Sequence, residues 1–355
     1  MKVLIDDGLS SMKQLTGIGQ VAVNLHKHLQ SYCSSTIANY SFLSPFPRKM
    51  RRLLYLPLAN RFSIYQNYDV VHFLNFYVPF VRIPAKKVVT IHDLCMFRFP
   101  ETLPNWYLHY SINSVKIGIK RADRIIVVSN AIREDLLELF PEAERKTEVC
   151  YNGIRDIFFS TKTEEQTLAQ FQLDSYSYFL FVGVLQTRKG IDILLNAFIQ
   201  AKRTKKISSE TKLVIVGKKG YGFNKVEHLI SYENAIIRFP FLSDEQIVAL
   251  MKFAKAFVFP SRYEGFGMPI IESMTQQTPI IASDIPPTLE LDNLHNRNIF
   301  LFESENVNDL VEKISYVEMN QKSIRQNLEY GDMAIHSFDA VALDHYNVYQ
   351  KVCGA

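Results

Sequence analysis

The sequence predicts an α/β protein built from two doubly wound domains, and three observations carry that reading. Strands alternate with amphipathic helices along the chain. The alternation starts afresh beyond residue 172. Several strands are unbroken apolar runs, such as Ile125–Val128, which suit a parallel sheet buried on both faces. A length of 355 residues accommodates two domains of ordinary size.

In the first half, Lys2–Ile5 is a short apolar strand. Gly17–Leu29 places Val21, Leu25 and Leu29 at helical spacing. Strands are then predicted at Asp69–Phe73, Lys87–Ile91, Arg124–Ser129 and Thr147–Tyr151, with helices at Asn105–Lys120 and Ala131–Phe140. The second half repeats the pattern. Its strands are Tyr178–Val184, Leu213–Val216, Ala235–Phe239, Ala256–Pro260 and Pro279–Ser283. Its helices are Ile191–Lys202, Val226–Ile230, Asp244–Phe253 and Pro269–Met274. Each half is thus one Rossmann-like domain, with ligands expected at the carboxyl ends of its strands. The polar stretch Asp156–Gln172, after Asn152-Gly153, marks the boundary, giving domains 1–156 and 172–338. The tail Ser323–Cys353 is helical in pattern. A helix over about 340–355 is free to pack back on the first domain.

Bulk properties narrow the function. Hydrophobic residues at 47% and charged residues at 21% call for a packed core rather than broad disorder. A net charge of +4 is too weak for a nucleic-acid partner, but suits an anionic small ligand or an anionic membrane surface. Cys33, Cys95, Cys150 and Cys353 follow neither zinc spacing nor a disulfide framework, so reduced structural thiols are expected. The start MKVLIDDGLSS is broken by Asp6 and Asp7, unlike a signal peptide. No window reaches the roughly 18 uninterrupted apolar residues of a spanning helix. The expectation is a cytoplasmic protein whose membrane contact, if any, is peripheral.

The chemistry concentrates in EGFGMPIIES, Glu264–Ser273. Strand FVFPS ends at Ser261, a glycine-rich loop follows, and Pro269 stands where a helix should begin. Glu264 is then expected on the loop and Glu272 on the first helical turn. Gly265 and Gly267 let backbone approach a ligand, with Phe266 and Met268 beside them. The helix start suits a diphosphate. Carboxylates accept from paired hydroxyls, as on a ribose and a hexose. Either glutamate alone also fits a plain turn or a helix-start charge; the whole constellation does not. Arg188 and Lys189, in FVGVLQTRKG after the domain's first strand, can neutralise a departing diphosphate. By themselves they equally fit a solvated basic pair. No Asp-x-Asp follows an apolar strand, so no metal site and no cofactor are expected. Thr16-Gly17-Ile18-Gly19 opens a helix and can offer amides to a phosphate or sugar, or form a simple turn. His92, in Ile91-His92-Asp93 at a strand end, can bond a sugar hydroxyl, or be an ordinary core histidine.

These residues resemble a family, the retaining glycosyltransferases of family four with the GT-B fold, two Rossmann-like domains facing a central cleft. The strongest stretch is Leu242–Ser273, with seven residues between its two glutamates, Glu264 and Glu272. Support extends to GIGQ at Gly17–Gln20, TIHDL at Thr90–Leu94, IIVVSN at Ile125–Asn130, YNGI at Tyr151–Ile154, FVGVLQTRKG, and LVIVGKKG at Leu213–Gly220. The resemblance implies that Glu272 holds the ribose and Glu264 contacts the transferred sugar. Arg188 and Lys189 would bind the diphosphate. Gly17 and Gly19 would lie at the phosphate or acceptor, His92 at the sugar, and Ser129 and Asn130 at the cleft edge. Gly183, Gly217, Lys218, Phe241 and Leu242 fall on the donor side. It implies front-face displacement without a protein nucleophile. The donor would be a nucleotide sugar, GDP-mannose first, and the acceptor a saccharide or lipid-linked saccharide, as in bacterial O-antigen and capsule assembly.

Three departures stand out. Pro240 replaces a usual glycine near the base pocket and removes an amide donor. Thr275-Gln276-Gln277 replaces small residues, and Gln20 stands where arginine is common. The basic, leucine-rich Pro47–Leu58, with Arg48, Lys49, Arg51 and Arg52, suits peripheral contact with an anionic membrane at the inner face of the plasma membrane, or a helix packing on its own domain. Alternative functions are a nucleotide-sugar epimerase and a non-catalytic partner subunit. An intact Glu264, Glu272, Arg188 and Lys189 set argues against the latter.

Overall fold

A computed structural model describes residues 1–6, 17–38, 65–79, 83–161, 163–232 and 234–354. Thr16 and the basic segment Pro47–Leu58 lie outside the described residues. The chain divides into two units. The first comprises Met1–Arg98, Pro104–Gly153 and Ala334–Ala355, the second Phe99–Leu103 and Ile154–Met333.

The described strands of the first unit are β1 (Lys2–Asp6), β2 (Ser34–Ile37), β3 (Val70–Phe73), β4 (Lys86–Ile91), β5 (Arg124–Val127) and β6 (Thr147–Val149). They form one sheet in the order β2-β1-β3-β4-β5-β6, with every pairing parallel. The apolar runs read from the sequence are the buried ones: all four residues of β3 and the last four of β4 are buried. Helix Gly17–Leu29 turns Ala22, Leu25 and Leu29 into a core with Val3, Ile5, Val70, Val88 and Ile126. Helix Phe338–Cys353 joins that core through Phe338, Val341, Val348 and Tyr349. Burying a side chain of this size stabilises the fold by about 1.5–3 kcal/mol.

The second unit holds β7 (Tyr178–Val182), β8 (Lys212–Val216), β9 (Ile236–Phe239), β10 (Ala256–Phe259), β11 (Ile280–Ser283) and β12 (Ile299–Phe302). The order is β12-β11-β10-β7-β8-β9, again all parallel. Helix Ile191–Arg203 buries Ile191, Leu194, Leu195 and Phe198 on Phe179, Phe181, Leu213 and Ile215. Leu310, Val311, Ile314 and Val317 of helix Val307–Asn327 close the same core. Helix Asp244–Phe253 begins with a capping box between Ser243 and Gln246.

The strand order positions the site. From β7 the chain winds one way through β8 and β9, then returns to place β10 against β7's other edge. The order therefore reverses between β7 and β10, and loops leaving the carboxyl ends of those two strands flank the reversal.

The tail and the helix that carries Glu272 differ from the sequence reading. The tail is not one helical run, because the long helix ends at Asn327 and the next starts only at Phe338, capped by the Ser337 hydroxyl. Helix Met268–Thr275 begins at Met268, after Gly267 at φ 104°. Glu272 therefore lies beyond the first turn, a correction to its expected place.

Candidate active site

Both loops at the reversal carry predicted site residues, and the structure brings these together. After β7, residues Thr187–Lys189 form a short 3₁₀ turn ended by Gly190 at φ 64°, from which helix Ile191–Arg203 departs. After β10, Ser261–Gly267 leads into helix Met268–Thr275. The Lys189 ammonium donates to Glu264 Oε1. Arg188 Nη1 lies 3.4 Å from Glu264 Oε2 and donates to the Tyr263 carbonyl at 2.8 Å. The Ser261 hydroxyl donates to Glu264 Oε1 at 2.7 Å. Burial alone would raise the Glu264 pKa, but Lys189 and Arg188 outweigh it and hold the carboxyl below its ordinary value. The result is an ionised carboxylate, 8% exposed, between two cations that are themselves only 14% and 17% exposed.

Sequence reasoning missed how this cluster is fastened. Arg262 donates to both Asp192 oxygens at 2.7 and 2.8 Å and to the Thr187 carbonyl at 2.6 Å, while its amide donates to the Arg188 carbonyl at 2.9 Å. One guanidinium thus ties the cation-bearing turn to the Glu264 loop. The Phe99 ring lies tilted against Tyr263, with ring centres 5.5 Å apart, and Phe99–Leu103 belong to this unit. Nothing in the spacing of Asp192, Arg262 and Phe99 announces these partners.

Glu272 is 6% exposed and has a partner that was not foreseen. Arg155 donates to its Oε1 from Nε at 3.2 Å and from Nη2 at 2.9 Å, while Arg155 Nη1 stands 2.5 Å from Asp244. Burial raises the Glu272 pKa, Arg155 opposes it, and the net direction is upward. Gly265, Phe266 and Gly267 are buried, and Met268 is half-buried.

The remaining donor-side residues follow β8 and β9. A Cβ on Gly217 would fall 1.8 Å from the Gly183 carbonyl oxygen, so the predicted pair interlocks where the two strand ends meet. Lys218 is exposed, with its ammonium 5.8 Å from the centre of the Phe241 ring. Phe241 is 72% exposed, whereas Leu242 is buried. A large exposed aromatic beside a cation offers a face for a planar base.

In the first unit, Gly17 opens its helix exposed and Gly19 is buried. His92 is half-buried, with Nε2 2.9 Å from the Leu74 carbonyl. A carbonyl accepts, so Nε2 carries the proton. Burial lowers this pKa and keeps the ring neutral, which leaves Nδ1 as an acceptor. Ser129 is buried and caps helix Asn130–Leu139 by accepting from the Ile132 amide, and Asn130 donates to the Tyr151 hydroxyl at 3.2 Å. Asp93 accepts from the Cys95 amide at 3.2 Å. Among the described residues, no three or more His, Cys, Asp or Glu side chains are grouped to hold a metal ion, and no helix is long and apolar enough to cross a membrane.

Two all-parallel doubly wound sheets, with a carboxylate and two cations at the strand reversal of the second, define the GT-B class. The Glycosyltransferase Family 4 model matches residues 17–156 and the Glycosyl transferases group 1 model matches residues 164–332. The chain belongs to the family-four glycosyltransferases. It is 28% identical over 230 residues to O-antigen chain mannosyltransferase B of Escherichia coli, covering 62% of this chain and 58% of that one. It is 26% identical over 212 residues to O-antigen chain mannosyltransferase RfbU of Salmonella typhimurium, covering 59% and 54%. The match therefore spans little more than half of those relatives. Among solved structures, Anabaena Alr3699/HepE in complex with UDP-glucose superposes with a TM-score of 0.71 at 17% identity, covering 100% of this chain and 98% of that one. Sucrose-phosphate synthase from Thermosynechococcus elongatus does so with a TM-score of 0.73 at 20% identity, covering 99% and 98%. At such identities the likeness speaks for the fold.

Proposed function

We propose that the chain is a retaining, metal-independent hexosyltransferase. It moves a sugar from a nucleoside-diphosphate donor, GDP-mannose first, to a glycan or lipid-linked saccharide in cell-surface polysaccharide assembly. The observation that carries this reading is Glu264 held between Lys189 and Arg188 at the strand reversal. The names of the two O-antigen relatives support mannose and the pathway. The proposed setting is the cytoplasmic face of the plasma membrane.

In this reading Glu264 accepts from hydroxyls of the transferred hexose. Arg188 and Lys189 face the diphosphate. As the bond between the anomeric carbon and the phosphate oxygen breaks, its electron pair moves onto that oxygen, and the two cations stabilise the charge. The acceptor hydroxyl attacks from the same face and its proton passes to the departing phosphate, so no side-chain nucleophile is required. Glu272 takes the ribose hydroxyls, Phe241 and Lys218 the base. His92 accepts from a sugar hydroxyl through Nδ1. Gly17 and Gly19 lie at the phosphate or acceptor.

Turnover of α-configured GDP-mannose with saccharide and lipid-linked acceptors tests this. GDP release that depends on an acceptor, with an α-linked product by NMR, is the expected result. A β-linked product would contradict retention. Failure to turn over any GDP-, UDP-, dTDP- or ADP-sugar would contradict the transferase reading.

A further inference from the structure

Arg155 has no part in the chemistry above, yet among the described residues it is the hydrogen-bond partner of the Glu272 carboxylate. Its side chain is 15% exposed and its guanidinium is spent on two carboxylates, Glu272 and Asp244. Both bonds to Glu272 fall on a single oxygen, Oε1. The ring of Phe158 backs the guanidinium at 4.7 Å. This is a fixed cation, and a carboxylate gripped on one oxygen keeps the other for a ligand.

We infer that Arg155 is a positioning residue. It fixes Glu272 through Oε1 so that Oε2 accepts the hydroxyl pair of the donor ribose. The inference rests on the donor-site reading of Glu272 given above. A carboxylate accepts two hydroxyls only when ionised, and Glu272 sits where burial favours the protonated form. The opposing charge comes from Arg155, while Asp244 acts against it. Helix Asp156–Ser160, packed on the Glu272 helix, carries Asp156; β10 and β11, also packed on it, contribute no titratable side chain. Arg155 therefore supplies both the orientation and the charge balance of the acceptor oxygen. Asp244, on the far side of the guanidinium, holds the fork in place.

The test compares ribose forms with forms lacking the hydroxyls. Affinities of wild type, Arg155→Met, Arg155→Lys, Glu272→Gln and the Arg155→Met/Glu272→Gln double variant are measured calorimetrically. The probes are GDP and UDP and their 2′,3′-dideoxy analogues, at pH 6, 7 and 8.5. The expected result is that Arg155→Met weakens binding of the ribonucleotide about tenfold, consistent with the loss of one charge-assisted bond. The dideoxy analogue should be unaffected. The loss should shrink toward pH 8.5 as Glu272 ionises unaided. Arg155→Lys, which keeps a charge without the fork, should lose less, and Arg155→Met should cost nothing more once Glu272 is glutamine. If Arg155→Met does not fold, Arg155→Lys carries the same comparison with a smaller loss confined to the ribonucleotide. Equal weakening of ribo and dideoxy forms, or no weakening of either, overturns the inference while leaving the donor site standing. Failure of the wild type to bind any of GDP, UDP, ADP and dTDP overturns the inference and the donor-site reading together.

Discussion

Gly190 lies against Pro260 with no room for a side chain: a Cβ would fall 1.8 Å from the Pro260 carbonyl oxygen, and the backbone stands at φ 64°. This contact locks the turn after β7 to the end of β10, the two places from which the site is built. Gly190→Ala meets both a steric and a conformational penalty. It should lower unfolding stability by roughly 2–4 kcal/mol and weaken nucleoside-diphosphate binding, because Arg188 and Lys189 ride on the same turn. Urea unfolding and calorimetry measure both. Wild-type stability in the variant would show that the turn is not locked by this contact.

Glu264 is held ionised by Lys189 and Arg188, with Ser261 donating to the same oxygen. Glu264→Gln keeps the shape and removes the charge. Turnover should fall by on the order of 10²-fold with the nucleotide affinity changed much less, a split that steady-state kinetics reads directly. The sign of the pH effect follows from the lowered pKa. The folded state holds the proton less tightly than the unfolded chain, so the stabilisation is present above the ordinary glutamate pKa. It is lost as pH falls through the lower, folded value.

Acid sensitivity should also arise in the first unit. His72 is fully buried, bonded to the Tyr349 hydroxyl and to Thr90, each at 2.7 Å, and the His345 ring lies tilted beside it with centres 5.5 Å apart. Burial pushes His345 down to about 4 and His72 well below its ordinary value. Between the ordinary value of 6.5 and about 4, the unfolded chain binds protons that the folded chain refuses. Stability therefore falls as pH drops through that window. Urea unfolding from pH 7.5 to 4.5 should show this slope, and His345→Gln should reduce it. An unchanged slope in the variant would assign the sensitivity elsewhere.

The fold was legible because buried parallel strands leave unbroken apolar runs, and helix Gly17–Leu29 and helix Asp244–Phe253 begin and end where their residues predict. The missed strands, β2 with sequence SSTI and β12 with sequence IFLF, are the two outermost on that side of their sheets. An edge strand four residues long leaves little periodicity to read. In the site, Glu264, Arg188 and Lys189 could be found because chemistry and backbone demand sit in one short segment each. Arg155 could not, since its bond to Glu272 spans 117 positions. Arg262 and Asp192 likewise meet only once the reversal between β7 and β10 places their loops together. Gly183 and Gly217 are both expected as ligand contacts; the structure adds a packing reason for glycine at Gly217.

The central claim is that the strand reversal of the second unit binds a sugar nucleotide through its ribose. Thermal-shift titration with GDP, UDP, dTDP and ADP, alongside Glu272→Ala, tests it most directly. A ligand that binds only the folded state raises the melting temperature, by an amount equivalent to about 2.7 kcal/mol at a hundredfold excess over Kd. A clear shift with one diphosphate, GDP first, and its loss in Glu272→Ala are expected. No shift with any of the four, or a shift that survives in Glu272→Ala undiminished, would contradict the central claim.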